Sequence, residues 1–180
     1  MKRYIYIAAY VLVLFVLLVI QASSQDKLKV YAGFSNQNVS VHSEPVDFSG
    51  LHQQVIKGFD VSGSYKVFSY EGFTVEGVAE LSSHYIVGGN NFQFLGGPQL
   101  SYDVLNKKVT PFIRGTFGST RTLGQHLFTK DVGIGVDVNL TKHVFVRPGQ
   151  VDLQWANIEI GSLYYPLQAT RVGFGFGYRF

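Results

Sequence analysis

Beyond Asp26 the chain alternates apolar and polar residues with a period of two in one segment after another, and no stretch of comparable length follows a helical period. In "KLKVYAGF" Leu28, Val30, Ala32 and Phe34 share a face, and in "GFDVSGSYKVF" Phe59, Val61, Tyr65 and Val67 oppose Asp60, Ser62, Ser64 and Lys66. "FTVEGVAEL" sets Phe73, Val75, Ala79 and Leu81 against Thr74, Glu76 and Glu80, while "NFQFLGGPQLSYDV" sets Phe92, Phe94, Leu100, Tyr102 and Val104 against Gln93, Gln99, Ser101 and Asp103. "VTPFIRGTFG" opposes Val109, Ile113 and Phe117 to Thr110, Arg114 and Thr116. "FTKDVGIGVDVNL" runs Val132, Ile134, Val136, Val138 and Leu140 between Asp131, Gly133, Gly135, Asp137 and Asn139. "HVFVRPGQVDLQW" keeps its alternation only if one extra residue is absorbed near Pro148 and Gly149, as in a bulge. The last segment carries Thr170, Val172, Phe174, Phe176, Tyr178 and Phe180 opposite Arg171, Gly173, Gly175, Gly177 and Arg179. The pattern predicts eight strands, most about nine to twelve residues long, close to the span of a tilted strand in a bilayer.

The connections alternate as well. "SYEG", "LNKK" and "LTKH" are tight turns, whereas Ser35 to Gln54, Ser82 to Asn90, Ser119 to Leu127 and Ala156 to Gln168 read as longer polar loops. Short turns at one end and long loops at the other belong to a membrane-spanning up-and-down barrel. The two faces agree with that architecture. A soluble sandwich would carry much Lys and Glu on its wet face, but here the polar face is mostly Gly, Ser, Thr, Asn and Gln. An inside-out barrel explains the difference, with aromatic and aliphatic side chains toward lipid and small polar ones filling a narrow interior. Aromatics cluster where two interfacial girdles are expected: Phe68, Tyr70, Phe73, Tyr102 and Phe145 near the short turns, Phe34, Tyr85, Phe92, Phe128 and Trp155 near the long loops. Pro98 falls within a strand and predicts a local break in the ladder.

The first residues change the compartment. Lys2 and Arg3, an apolar run from Tyr4 to Ile20, then Ala22 and Ser24 form the pattern of a secretory signal peptide, which divides the chain into 1–24 and a barrel domain 25–180. Removing that segment removes two cations and no acid, so the formal charge falls from +3 to +1 and gives no reason to expect a nucleic-acid partner. With no Cys, the exported chain is held by burial and hydrogen bonds alone.

Candidate chemistry lies on the polar face. Strand parity sends Asp60, Lys66, Glu76, Glu80, Arg114, Asp137, Asp152, Arg171 and Arg179 inward, and Arg147 with them given the bulge. Charges in a narrow lumen need partners. Glu76, Glu80, Arg114, Asp137 and Arg147 form the expected interior cluster: counting from the turn at Thr141 brings Asp137 to Arg147, and counting from "SYEG" brings Asp60 beside Glu80, with Arg114 as their cation from across the lumen. His42, Ser43 and Glu44 are consecutive and poorly placed to converge as a catalytic triad, so no enzyme is expected. His42, His52, His84 and His126 read as scattered rim histidines without metal-ligand spacing, and no metal or cofactor is expected.

The chain ends on Phe180 with Phe174, Phe176 and Tyr178 at alternate positions before it, which resembles the assembly signal of bacterial outer-membrane proteins. With "FLGGPQLSY", "VTPFIRGTFG" and "KHVFVRPGQVD", the whole barrel segment resembles small eight-stranded barrels of the outer membrane protein A transmembrane-domain class. The resemblance implies integral outer-membrane location, contact with outer-membrane lipid, and handling of the last strand by the barrel-assembly machinery. It implies a structural or surface-interaction role, with ligands met at loops 35–54 and 156–168. A narrow pore or hydrophobe conduit is the alternative, a lipid-modifying enzyme a further one, and a soluble lipocalin-type barrel the rival at the level of fold. In many relatives a peptidoglycan-binding domain follows the barrel; with nothing after Phe180, no such tether is expected.

Overall fold

A computed structural model describes residues 27–41, 54–86, 89–122, 125–160 and 163–180. The expected signal segment, His42, Ser43, Glu44 and His52 lie outside the described residues. Eight strands follow in order: β1 Leu28–Val41, β2 Gln54–Tyr70, β3 Phe73–Ile86, β4 Gly89–Tyr102, β5 Val109–Thr122, β6 Gln125–Asn139, β7 Val144–Ile160 and β8 Leu163–Arg179. Each pairs antiparallel with its neighbours in sequence, and β8 pairs with β1 from Lys29↔Arg179 to Val41↔Leu167, so the sheet closes into an up-and-down barrel. Closure leaves no strand edge unpaired, the condition for placing a sheet in hydrocarbon.

The strands are 14 to 17 residues long, longer than the alternation alone predicts. Three of the four expected long loops are absorbed into hairpins: β3 and β4 are separated by residues 87–88, β5 and β6 by 123–124, β7 and β8 by 161–162. Only 42–53 remains as a longer connection, and the expected loop 156–168 is strand on both sides of its tip. The reason is physical. At these hairpin ends the inward face holds polar residues such as Ser82, His84 and Thr120 and the outward face turns polar too, as at Ser119 and Arg121, so the apolar alternation stops while the backbone ladder continues. At the other end Glu71 and Gly72 both have positive φ, 46° and 87°, the geometry that matches a two-residue turn to the twist of its strands.

Two irregularities set the faces. β7 carries the extra residue at Pro148, where Arg147 pairs with Gly175 and Gln150 with Gly173. A second bulge, which the alternation does not reveal, sits at Val67 in β2, between the pairs Lys66↔Glu76 and Phe68↔Val75. It shifts the register by one, so that Asp60 faces Ser82 and Ser62 faces Glu80; Glu80 is therefore beside Asp60 as its diagonal neighbour on the lumen face and not its direct partner. At Pro98 the register holds, but the β4–β5 ladder has no pairs between Gly96↔Phe117 and Gln99↔Arg114.

The outer wall is apolar, with Phe34, Phe59, Phe94, Phe117, Phe174 and Phe176 all exposed. Every girdle aromatic named above faces outward except Phe145, which is 1% exposed. The bulge that turns Arg147 inward turns Phe145 inward too. The lumen is also less uniformly polar than expected, since Tyr31, Ile56, Val78, Leu95, Phe112 and Leu127 are buried in it. Glycines make the room: a Cβ at Gly135 would strike Phe112, one at Gly177 Phe145, and one at Gly33 the Tyr31 hydroxyl.

The β1–β8 seam is tightest at Gly175, where a Cβ would run into the Ala32 carbonyl and the Gly33 Cα. Gly175→Val should therefore cost about 3 kcal/mol or more in urea unfolding. Gly77→Ala, whose new methyl meets nothing within 4 Å, should stay within about 0.5 kcal/mol. Equal midpoints for the two variants would refute this account of closure.

Candidate functional site

The lumen holds one connected set of charged and amide side chains. At its middle, Arg171 of β8 and Arg114 of β5 stand among four carboxyl groups from four other strands: Asp60 of β2, Glu80 of β3, Asp131 of β6 and Asp152 of β7. Arg171 Nη1 lies 2.6 Å from Glu80 Oε1 and 3.4 Å from Asp60 Oδ1. Its Nη2 lies 3.0 Å from Asp152 Oδ2 and 3.6 Å from Asp131 Oδ2, and its Nε donates to Asp152 Oδ2 at 3.0 Å. Arg114 Nη1 donates to Glu80 Oε2 at 2.6 Å, and its Nε donates to Asp152 Oδ1 at 3.1 Å. Arg171 and Asp152 are both 0% exposed, so neither relies on bulk water for its partners.

Toward the short turns the set continues through Gln150, whose amide donates to Asp152 Oδ2 at 2.7 Å and accepts from Arg147 Nη1 at 2.7 Å. Arg147 donates in turn to Asp137 Oδ1 at 2.8 Å. Its guanidinium lies 4.2 Å from the centre of the Tyr31 ring and 4.3 Å from that of Phe112, a cation held between two π faces. Beside it Lys29 Nζ meets Glu76 Oε1 at 2.6 Å, and Gln99 donates to Glu76 Oε2 at 2.7 Å. A cavity of about 10 Å³ between these groups, bordered by Lys29, Tyr31, Gln99 and Arg147, has room for one water.

Toward the long-connection end the set passes to amides. Gln154 donates to Asp131 Oδ2 at 2.9 Å and accepts from Gln37 at 2.9 Å, and Ser82 donates to Gln93 at 3.1 Å. His84 is fully buried, its Nε2 2.8 Å from Ser35 Oγ, so it is a lumen residue and not the rim histidine the sequence suggests. His126 does sit exposed at the rim.

The five residues expected as a cluster all face the lumen: Glu80 with Arg114 and Asp137 with Arg147 are joined through Asp152 and Gln150, while Glu76 pairs with Lys29 beside them. The cation shared by Asp60 and Glu80 is Arg171, and Arg114 bridges Glu80 to Asp152. Parity alone could have added Lys29 and Asp131 to the inward charges, since each alternates with outward apolar neighbours. Of the remaining inward charges, Lys66 is half-buried, and the half-buried Arg179 lies 5.1 Å from the Phe145 ring centre at the short-turn end. Among the described residues no group of three or more His, Cys, Asp or Glu is arranged to hold a metal ion.

No protein-family model matches the chain, and no curated protein matches it. Among solved structures, Neisserial surface protein A superposes with a TM-score of 0.51 at 14% identity, over 85% of this chain and 97% of that one. The N-terminal β-barrel domain of Pseudomonas aeruginosa OprF gives 0.49 at 13% identity, covering 83% of this chain and 97% of that one. Ail, the attachment invasion locus protein of Yersinia pestis, gives 0.48 at 14% identity, covering 86% and 98%. The likeness to Neisserial surface protein A is one of fold: this chain is a small eight-stranded barrel of the transmembrane outer-membrane type.

If Arg171 is the cation that four carboxyl groups share, Arg171→Met should destabilise the barrel by about 3–5 kcal/mol in urea unfolding from vesicles, the range for breaking a buried pair. Adding Glu80→Gln should recover part of that loss, because one fewer carboxylate is left without a partner. A single variant as stable as the parent would show that the lumen charges are not mutually dependent.

Proposed function

We propose that the protein is an integral barrel of the bacterial outer membrane, exported through a cleaved signal peptide, whose role is structural and surface-interactive rather than enzymatic. The observation that carries this reading is the lumen. From Asp137 near the short turns to Gln37 near the other end, its side chains are joined by direct hydrogen bonds and ion pairs, which act as a plug. An eight-stranded barrel is just wide enough to be filled in this way.

With the interior occupied, contact with other molecules falls to the surfaces. Residues 42–53 and the β7–β8 hairpin around 156–168 are the regions where a surface ligand would be met. Phe174, Phe176 and Tyr178, all facing outward on the strand that closes the barrel, together with Phe180 are the residues that the barrel-assembly machinery would read.

Planar-bilayer recording tests the plug. Protein shown to have inserted should give no steady current steps. Steady steps that change in Glu80→Gln or Arg114→Gln would overturn the reading in favour of a narrow pore, since the charges would then line an open path.

A further inference from the structure

Among the described residues, Arg179 at the end of β8 is the one lumen-facing guanidinium without an acceptor. Its Nε and Nη2 are both shut off from solvent, neither has a hydrogen-bond partner, and the side chain enters no ion pair. These two nitrogens form one edge of the guanidinium and aim their N–H groups the same way, the geometry that takes two oxygens of a single carboxylate or phosphate. The Phe145 ring, its centre 5.1 Å from the guanidinium carbon, fixes the group without offering such an acceptor. Charged donors enclosed with nothing to accept from them are costly, and an acceptor from outside the chain would offset that cost.

The neighbouring strands add positive charge instead of removing it. Lys29 is the direct partner of Arg179 on the β1–β8 seam, and like charges set opposite each other destabilise a strand pair. Lys66 lies diagonally from Lys29 on β2, beyond its partner Ser64, and it too enters no ion pair. Glu76, which faces Lys66 across β2 and β3, is already met by Lys29 Nζ at 2.6 Å and by the Gln99 amide at 2.7 Å. Asp103 accepts from the Thr110 hydroxyl at 2.7 Å, and the Phe180 carboxylate makes no ion pair with any of these cations. Arg179, Lys29 and Lys66 therefore share one carboxyl group, whereas at the middle of the lumen Arg114 and Arg171 stand among four. An anion arriving from the short-turn side is attracted to the mouth and repelled from the centre.

We propose that the short-turn mouth of the lumen is a binding site for an oxyanion, a carboxylate or a phosphate, gripped by Nε and Nη2 of Arg179 with Lys29 and Lys66 beside them. Arg179 and Lys66 are only half-buried, so the site lies within reach of solutes on that side. Hydroxyl donors are at hand in Ser62 and Ser64, which with Lys29 and Phe145 border the small cavity at this end. Because Arg179 and Lys29 belong to the two strands that close the barrel, occupancy relieves their repulsion and stabilises the seam.

The test titrates the full chain in phosphatidylcholine nanodiscs with sodium phosphate and, separately, sodium acetate, against sodium chloride at equal ionic strength, and follows the amide NMR resonances of Lys29, Lys66 and Phe180. Saturable shifts with either anion support the site, and the tighter of the two identifies its occupant as phosphate or carboxylate. Arg179→Lys, which keeps the charge and loses the two-donor edge, should weaken binding by at least about tenfold, the scale of a hydrogen bond to a charged group. Lys66→Gln should weaken it by about two- to fivefold, as for a partly exposed charge, and Lys107→Gln in the β4–β5 turn should leave it unchanged. Shifts that never saturate, that chloride reproduces, that persist undiminished in Arg179→Lys, or that fall as far in Lys107→Gln would each overturn the proposal. Lys66→Gln leaves the closing seam intact, so if Arg179→Lys fails to fold, undiminished binding in Lys66→Gln overturns it instead.

Discussion

A charge enclosed in a lipid-embedded cylinder has little water to turn to, so its stability rests on partners that other strands present. Arg171 is where this constraint concentrates. Its guanidinium meets carboxyl groups from β2, β3, β6 and β7, and through Glu80 and Asp152 it is joined to Arg114 of β5. Six of eight strands therefore meet in one cluster, while β1 and β4 join it through Gln37 and Gln93, which bond Gln154. Such a cluster makes each strand's position depend on the others. A register slip in one strand would leave several buried charges without partners at once, a larger penalty than the lost ladder bonds alone.

The remaining features of the wall serve that arrangement. Bulges at Val67 and Pro148 keep inward residues facing inward residues, which simple counting from the turns would not achieve. Inward glycines leave space for Phe112, Phe145 and Tyr31, and two of those rings, Tyr31 and Phe112, flank Arg147. The small residues of the lumen are thus partly structural vacancies for large ones, and the interior is a packed polar core surrounded by an apolar shell, the reverse of a soluble domain.

Much of this was legible from the alternation. Period-two segments identify the eight strands and, with few exceptions, the face each side chain takes, and the proline and glycine in "RPGQ" mark the bulge in β7. The bulge at Val67 has no such mark, because Val67 and Phe68 are both apolar and both face outward, and missing it would set Asp60 against Ser83 instead of Ser82. Identity of the central cation was beyond pairwise counting as well. Arg171 reaches Glu80 and Asp60 across the lumen, through distances set by barrel curvature and side-chain length rather than by neighbouring register. The polar ends of the hairpins resemble loops in sequence because alternation reports which face is apolar, and beyond the membrane no outward face needs to be.

Sorting charge by sign between the two sides of one wall has a consequence for where function can lie. Five lumen carboxylates are matched to lumen arginines and Glu76 to Lys29, so these charges are committed to holding strands together. Lys57, Arg121 and Lys130 contribute nothing to that network, and on the outside they meet aromatic neighbours instead of acids. Among the described strand positions, outward cations occur only in the half of the wall nearer the long connection, an asymmetry that the apolar girdles at the two ends do not share. A barrel built like this takes its stability from the inside and its orientation-dependent contacts from the outside, and the two sets of residues can vary independently because the backbone wall separates them.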